Sequence, residues 1–138
     1  MSPEENKALV SRFVEAIFNR GMLDRLPAFI AINAVEHITI LGEERGIDGM
    51  KEEYAVLLMA FPEMHFAIDA IVAEEDMVAW RSTMRGTHNG PYRQYPATGR
   101  HVTLKGVSFE RVAGDKIMER WANLAECEIL RQIGAIDR

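Results

Sequence analysis

The sequence predicts an α+β domain in which helices come first and antiparallel strands follow. Helical spacing of apolar residues dominates the first half of the chain, and apolar-polar alternation dominates the second half. Turns rich in Gly, Pro and Asp separate the strands of that second half. Helices gathered ahead of strands are typical of this class. The length of 138 residues predicts one domain over residues 1–138.

The first helix is predicted to begin at Ser2. Ser2, Pro3 and Glu5 have the form of an N-cap, a first-turn proline and a capping-box acid. The apolar face of this helix recurs at helical spacing: Leu9, Val10, Phe13, Val14, Ile17 and Phe18. A second, shorter helix is predicted at about 24–32, where Pro27 fits only in the first turn.

A short strand is predicted at 33–41, followed by a third helix at 50–61 that Pro62 ends. After Pro62 the sequence pattern changes from helical spacing to the two-residue alternation of a strand. Strands are predicted at 64–69, 77–87, 102–112 and 116–124, with one or two helical turns at 126–133. The loop at 88–100 is longer than a hairpin needs, which is typical of lids and binding loops.

Composition and charge exclude several classes of protein. The net charge of −5, with scattered basic residues, argues against a nucleic-acid groove. No apolar stretch approaches the roughly 20 residues that a bilayer requires, so no membrane span is expected. Cys127 is the only cysteine, which allows no intramolecular disulfide and suits a reducing compartment. Together with an acidic, polar N-terminus, this predicts a cytoplasmic protein.

Familiar catalytic motifs are missing from the sequence. There is no phosphate-binding glycine loop and no Gly-x-Ser-x-Gly nucleophile turn. The four histidines match no metal-ligand spacing, although three of them could still meet in space. We therefore expect neither a metal nor a cofactor.

Four residues are candidates for a pocket. His37, near the end of an apolar strand, has a side chain that can act as acid or base near neutral pH, although a structural role bonded to backbone is the alternative. Arg81 could polarise a ligand carbonyl, or lie on the outer face with its charge in water. Tyr54 and Trp121 offer flat surfaces for a ring system.

The second half of the chain carries an ordered set of short strings. These are RGTHNG at 85–90, PATGR at 96–100, GDKIMERW at 114–121 and LRQIG at 130–134. With Phe-Pro at 61–62 and the opening helix, the chain resembles the SnoaL-like polyketide cyclase family over nearly its whole length. The order of the predicted elements agrees with that resemblance.

The resemblance implies a fold and a type of chemistry. The fold is a cone-shaped half-barrel, a strongly curved and mostly antiparallel sheet packed against three N-terminal helices with a ligand cavity between them. Members commonly form homodimers through the sheet. The named cyclases close a ring on a polyketide ester by an intramolecular aldol step that uses no metal or organic cofactor.

One family position differs in this chain. The family places an acid/base aspartate four residues after the tryptophan of the last strand, where this chain has Ala125. The family histidine is matched by His37. Glu119 and Asn123 lie two residues before and after Trp121, which is the spacing of side chains on one face of a strand. We therefore expect all three to face the cavity, with Glu119 as a second proton carrier.

The predicted function is binding of a small hydrophobic carbonyl compound, with an aldol cyclisation or isomerisation in which His37 is the acid or base. In this reading Arg81 polarises the substrate, while Tyr54, Trp121 and Asn123 shape the cavity. Three alternatives stay open. They are a binding protein that has lost its proton carrier, a hydratase or isomerase of different pocket chemistry, and a small dimeric interaction module.

Overall fold

The computed structural model describes residues 2–38, 43–122 and 126–137. The first helix, α1, spans Pro3–Phe13 and continues as a π-helical segment over Val14–Asn19. The predicted capping box is confirmed. The backbone N–H of Glu5 donates to Ser2 Oγ (3.1 Å), and the Ser2 N–H donates to the Glu5 carboxylate (3.0 Å).

The predicted helix at 24–32 is wrong in extent. The chain forms a 3₁₀ turn at Leu23–Arg25 and a single helical turn, α2, at Leu26–Phe29. Strand β1 then starts at Ile30, where β-branched side chains favour extended backbone and Ile30 pairs with Ile117. Tertiary strand pairing therefore overrides the local helical pattern.

The remaining elements follow the predicted order, with one additional short strand. In chain order they are β1 (Ile30–Ile38), β2 (Glu43–Arg45), α3 (Ile47–Ala60), β3 (His65–Glu74), β4 (Met77–Thr87), β5 (His101–Ala113), β6 (Lys116–Ala122) and α4 (Glu126–Gln132).

The strands form one curved, unclosed sheet in the order β2-β1-β6-β5-β4-β3. All pairings are antiparallel except that of β1 with β6. The helices pack on the concave face, where the core is centred on Phe13, Ile17, Met50 and Phe61. This is the α+β half-barrel that the sequence predicts.

The loop at 88–100 is closed at its base and packed at its start. The His88 N–H donates to the Arg100 carbonyl and the Gly99 N–H donates to the His88 carbonyl, both at 2.8 Å. A Cβ at Gly90 would lie 1.9 Å from the Met59 carbonyl oxygen. The glycine therefore allows the loop to lie directly against the end of α3.

Within the described ranges, no helix combines the length and apolar character needed to cross a membrane.

Candidate ligand-binding and active site

A cavity lies between the helices and the concave face of the sheet, with a volume of about 130 Å³. An apolar cavity of about 150 Å³ accepts a benzene-sized ligand, so the enclosed part holds about one ring. The cavity is not fully enclosed, so a larger ligand can extend toward solvent. Most of the lining is apolar: Phe18, Ile38, Val56, Leu57, Phe66, Met84, Leu104 and Ile129.

Arg120 of β6 is the centre of the polar part of this cavity. Its Nε–H donates to Glu110 Oε1 (3.0 Å) and a terminal N–H donates to Glu110 Oε2 (3.2 Å). The other terminal nitrogen donates to Glu36 Oε2 (2.9 Å). The guanidinium also lies 5.1 Å from the ring centroid of Phe13. Arg120 thus joins two carboxylates from neighbouring strands inside the core.

Two aromatic side chains complete this buried network. The Tyr54 hydroxyl donates to Glu36 and accepts from Arg120, and the indole N–H of Trp80 donates to Glu110 Oε2 (2.9 Å). All members are buried, and all except Glu110 line the cavity. We call these five residues the inner cluster: Glu36, Tyr54, Trp80, Glu110 and Arg120.

Burial determines the ionisation of the inner cluster. Burial raises the pKa of Glu110, an effect opposed by the charge of Arg120 and its hydrogen bonds. Burial also raises the pKa of Tyr54 well above its usual value, so this residue stays a neutral phenol. Burial alone would lower the pKa of Arg120, but Glu110, Tyr54 and Glu36 together raise it. The arginine therefore remains a cation within the core.

Of the sequence-predicted residues, Tyr54 lines the cavity and is joined to the inner cluster. His37, Glu119 and Trp121 do not line it. His37 Nε2 lies 2.6 Å from Glu119 Oε2, and its ring stacks on Trp121 with centroids 5.2 Å apart. These three side chains lie together on the outer face of the sheet, and a catalytic role for His37 and Glu119 stays a prediction.

The expectation that Glu119 and Trp121 face inward is wrong, and a β-bulge explains why. Arg111 pairs with Glu119 but the next residue of β5, Val112, pairs with Ile117. Met118 is thus an extra residue in β6, and it changes the alternation of the strand. As a result Arg120 faces the cavity and its two neighbours face out.

Three further predicted residues also require comment. Arg81 is an outer-face residue whose side chain is 62% exposed, with a terminal nitrogen 3.9 Å from Asp69 Oδ2, and it does not line the cavity. The predicted role of Arg81 in polarising a ligand therefore has no support from its position. Asn123 and Ala125 lie outside the described residues.

Sequence reasoning missed Glu36, Glu110 and Arg120. A signal for Glu36 was present, because Glu36 alternates with Ala34 and Ile38 in β1, and a charge at an apolar-face position is unusual. The sequence interpretation assigned the proton transfer to the neighbouring His37. Because successive residues of a strand point to opposite faces, only one of the two can face the cavity.

The loop at 88–100 forms one wall of the cavity through Tyr92. The Tyr92 hydroxyl donates to Glu126 Oε1 (3.1 Å), and burial raises the pKa of this phenol to about 12. Arg93 next to it donates to Glu126 Oε1 (3.1 Å) and to Glu53 Oε2 (2.8 Å). The loop is therefore tied to both α3 and α4 beside the cavity. Among the described residues, no group of three or more His, Cys, Asp or Glu side chains could hold a metal ion.

The model of the SnoaL-like polyketide cyclase family matches residues 8–133, and the chain belongs to this family. Among solved structures it is similar to AclR, described as a candidate hydroxylase from Streptomyces galilaeus. The TM-score is 0.89 and the identity 28%, over 99% of this chain and 85% of AclR. It is also similar to IdmH, described as a candidate polyketide cyclase from Streptomyces antibioticus. Here the TM-score is 0.82 and the identity 29%, over 94% of this chain and 98% of IdmH.

TsrD from Streptomyces laurentii, at 22% identity and a TM-score of 0.83, shares the fold, with coverage of 99% of each chain. No curated protein matches this chain at a significant level. The predicted family and fold are thus confirmed.

Proposed function

We propose that this protein binds a small, hydrophobic carbonyl compound in its cavity and catalyses a cofactor-independent proton transfer on it, such as an aldol cyclisation or an isomerisation. One observation carries the proposal. The carboxylate of Glu36, only 2% exposed, lines an otherwise apolar cavity. A positioned carboxylate in a dry site is the group that removal of a proton beside a carbonyl requires.

In this proposal Glu36, and not His37, carries the proton. Glu36 takes a proton from the carbon beside the ligand carbonyl, and the resulting enolate attacks a second carbonyl or is reprotonated at another carbon. The same proton then returns from Glu36 to the new alkoxide oxygen or carbon, so no oxidant or other reactant is consumed. Tyr54 and Arg120 fix the carboxylate by donating to Oε2.

The family by itself does not decide the reaction. AclR and IdmH are described as a candidate hydroxylase and a candidate cyclase, although they have similar identity to this chain. Fold alone does not determine chemistry. We favour proton transfer because the cavity presents a carboxylate.

Non-catalytic ligand binding is the second candidate function. The observation that favours it is the mutual hydrogen bonding of the inner cluster, in which Arg120 and Trp80 both donate to Glu110 and Tyr54 donates to Glu36. Such a network can be purely structural. A protein of this kind would hold the same ligand and leave its protons in place.

The test uses 2-tetralone, a neutral bicyclic ketone with an acidic methylene, and tetralin, which has the same skeleton without the carbonyl. Trp80 lines the cavity and Trp121 lies outside it, so Trp121→Phe leaves one tryptophan as a reporter. We expect 2-tetralone to quench Trp80 and the protein to accelerate deuterium exchange at that methylene. Quenching without exchange would support the second candidate, and neither effect would contradict both.

Pairing of two copies through the outer face of the sheet is part of the same proposal. Val72 of β3 and Val107 and Phe109 of β5 lie on this outer face and are 64%, 47% and 46% exposed, respectively. Exposed apolar side chains on one sheet face are typical of an interface. Sedimentation should give a dimer for the wild type and a monomer for Phe109→Asp, and a monomeric wild type would contradict pairing.

A further inference from the structure

Two serine hydroxyls face the cavity from the wall formed by the sheet. Ser82 of β4 and Ser108 of β5 both line it, and Ser82 is 7% exposed. Within the described residues, neither hydroxyl forms a hydrogen bond with a protein group. A hydroxyl on a cavity wall without a protein partner is a group that a ligand can satisfy.

Gly106 leaves space between these hydroxyls. Ser82 is paired with Gly106 across the strands, and Ser108 follows two residues later on the same face. A Cβ built on Gly106 would have only Ser82 Oγ within 4 Å, at 3.9 Å. Diagonal positions on one sheet face lie roughly 7 Å apart, so one oxygen atom above Gly106 can accept from both serines.

The other strong donors at the cavity are engaged by protein acceptors. Tyr54 donates to Glu36, Trp80 donates to Glu110, and Arg120 donates to both carboxylates. Arg45, which also lines the cavity, has its guanidinium 3.6 to 3.8 Å from three carboxylates. Lys105, the remaining cation of the lining, donates to Thr83 Oγ1 (3.4 Å). The two serines are thus the neutral donors of the lining that have no acceptor among the described residues.

We propose that Ser82 and Ser108 form a carbonyl-binding site that orients the ligand in the cavity. This inference rests on the proposed function and specifies its substrate class. The ligand is a neutral molecule whose carbonyl oxygen lies over Gly106 and whose acidic hydrogen points toward Glu36. Arg120 and Glu36 already compensate each other's charge, so a neutral ligand needs no further counterion in the cavity.

The geometry also limits the size of the ligand. Glu36 of β1 and Ser108 of β5 are separated by β6 and offset by two residues along the strands, which is about 12 Å between backbones. Both side chains project inward and shorten that gap. The acidic hydrogen lies on the carbon next to the carbonyl, so the serine hydroxyls and the Glu36 carboxylate have to reach neighbouring atoms of the ligand, and a compact ketone of one or two fused rings allows this.

The test compares Ser82→Ala, Ser108→Ala and the double variant with wild type and with the control Ser11→Ala, whose serine is exposed on α1. The affinity for 2-tetralone should fall roughly 3- to 10-fold in the double variant, with tetralin affinity changed less than about 2-fold. Melting temperatures verify that each variant folds. The control should match the wild type.

Infrared spectra of bound ¹³C-carbonyl 2-tetralone provide a readout that a structural role would not change. The carbonyl stretch should lie at lower frequency in wild type and Ser11→Ala than in the double variant. An unchanged frequency, or equal losses of affinity for 2-tetralone and tetralin, would overturn the serine site and leave the proposed function intact. If neither compound binds to the wild type, both proposals fail.

Discussion

The two faces of the sheet carry similar charged residues in very different surroundings. On the inner face, Arg120 joins Glu36 and Glu110, and all three are 3% exposed or less. On the outer face, one residue along the same strands, Arg111 donates to Glu119 at 3.1 Å, with side chains 35% and 28% exposed. A shift of one residue in a strand therefore separates a buried network from a partly solvated ion pair.

This difference determines what each set of charges can do. Water and ions screen the outer pair, so it contributes little to stability and exerts a weak field on its neighbours. The inner charges have lost their hydration and depend on one another for compensation. An apolar cavity bordered by such fixed charges is suited to chemistry, whereas the outer pair is suited to holding strands together.

The largest expected effect comes from removing the central arginine. Arg120→Met leaves Glu36 and Glu110 buried without their cation, and we expect the free energy of unfolding to fall by about 3–5 kcal/mol. The matched outer variant Arg111→Met should lower it by no more than about 1 kcal/mol. Urea denaturation measures both. Equal losses would contradict the contrast between the two faces.

A second contrast concerns two histidines. His88 is fully buried, and Nδ1 accepts from the Thr98 N–H (3.2 Å), which places the ring proton on the buried Nε2. Burial lowers the pKa of His88. The folded state therefore binds this proton less readily than the unfolded chain, and stability present above pH 6.5 is lost as the pH falls below that value.

The free energy of unfolding should fall by at most about 1.4 kcal/mol per pH unit, because only this one proton is involved. The pH dependence of the free energy of unfolding, followed by urea denaturation, should become flatter in His88→Gln. In the control His65→Gln, whose histidine is exposed, it should match the wild type. An undiminished slope in His88→Gln would assign the acid sensitivity to other groups.

A smaller effect is expected at the edge of the cavity. Arg93, which is partly exposed, joins the loop at 88–100 to Glu53 and Glu126. Arg93→Met should cost about 1 kcal/mol at low salt and less at high salt. Tyr92, next to Arg93 in the same loop, lines the cavity. A loop that is held less firmly should therefore let the variant release 2-tetralone faster in stopped-flow measurements.

Arg131→Met is the matched control for that variant, since its pair with Glu128 lies within α4 and lines no cavity. It should leave the release rate unchanged. If both variants release the ligand at the wild-type rate, the loop does not limit its escape.

Local signals explain why much of the fold was predictable. The capping box at Ser2 and the proline after α3 act within a few residues of chain, and both appear in the structure. Strand β5 alternates in burial along its length, and β4 does so over Met77–Arg81. By contrast, the predicted helix at 24–32 gives way to β1 because β1 pairs with β6, a distant segment.

The candidate site was harder to predict because it depends on which face each strand residue occupies. The bulge at Met118 reverses the alternation in β6, so Trp121 and Glu119 point away from the cavity that Arg120 faces. No local sequence pattern reveals this bulge, because a residue is extra only in relation to the strand with which β6 pairs. Tyr54, predicted as a flat surface for a ring system, does line the cavity, and α3, which carries it, has no such interruption.

The most direct test of the central claim, that the functional face is the inner one, is deuterium exchange of 2-tetralone by Glu36→Gln and Glu119→Gln. Trp80 quenching first establishes that each variant still binds the ketone. We predict that Glu36→Gln loses at least about 100-fold of the acceleration, the usual contribution of a general base, while Glu119→Gln keeps it. Retained exchange in Glu36→Gln together with its loss in Glu119→Gln would place the chemistry on the outer face and contradict the account.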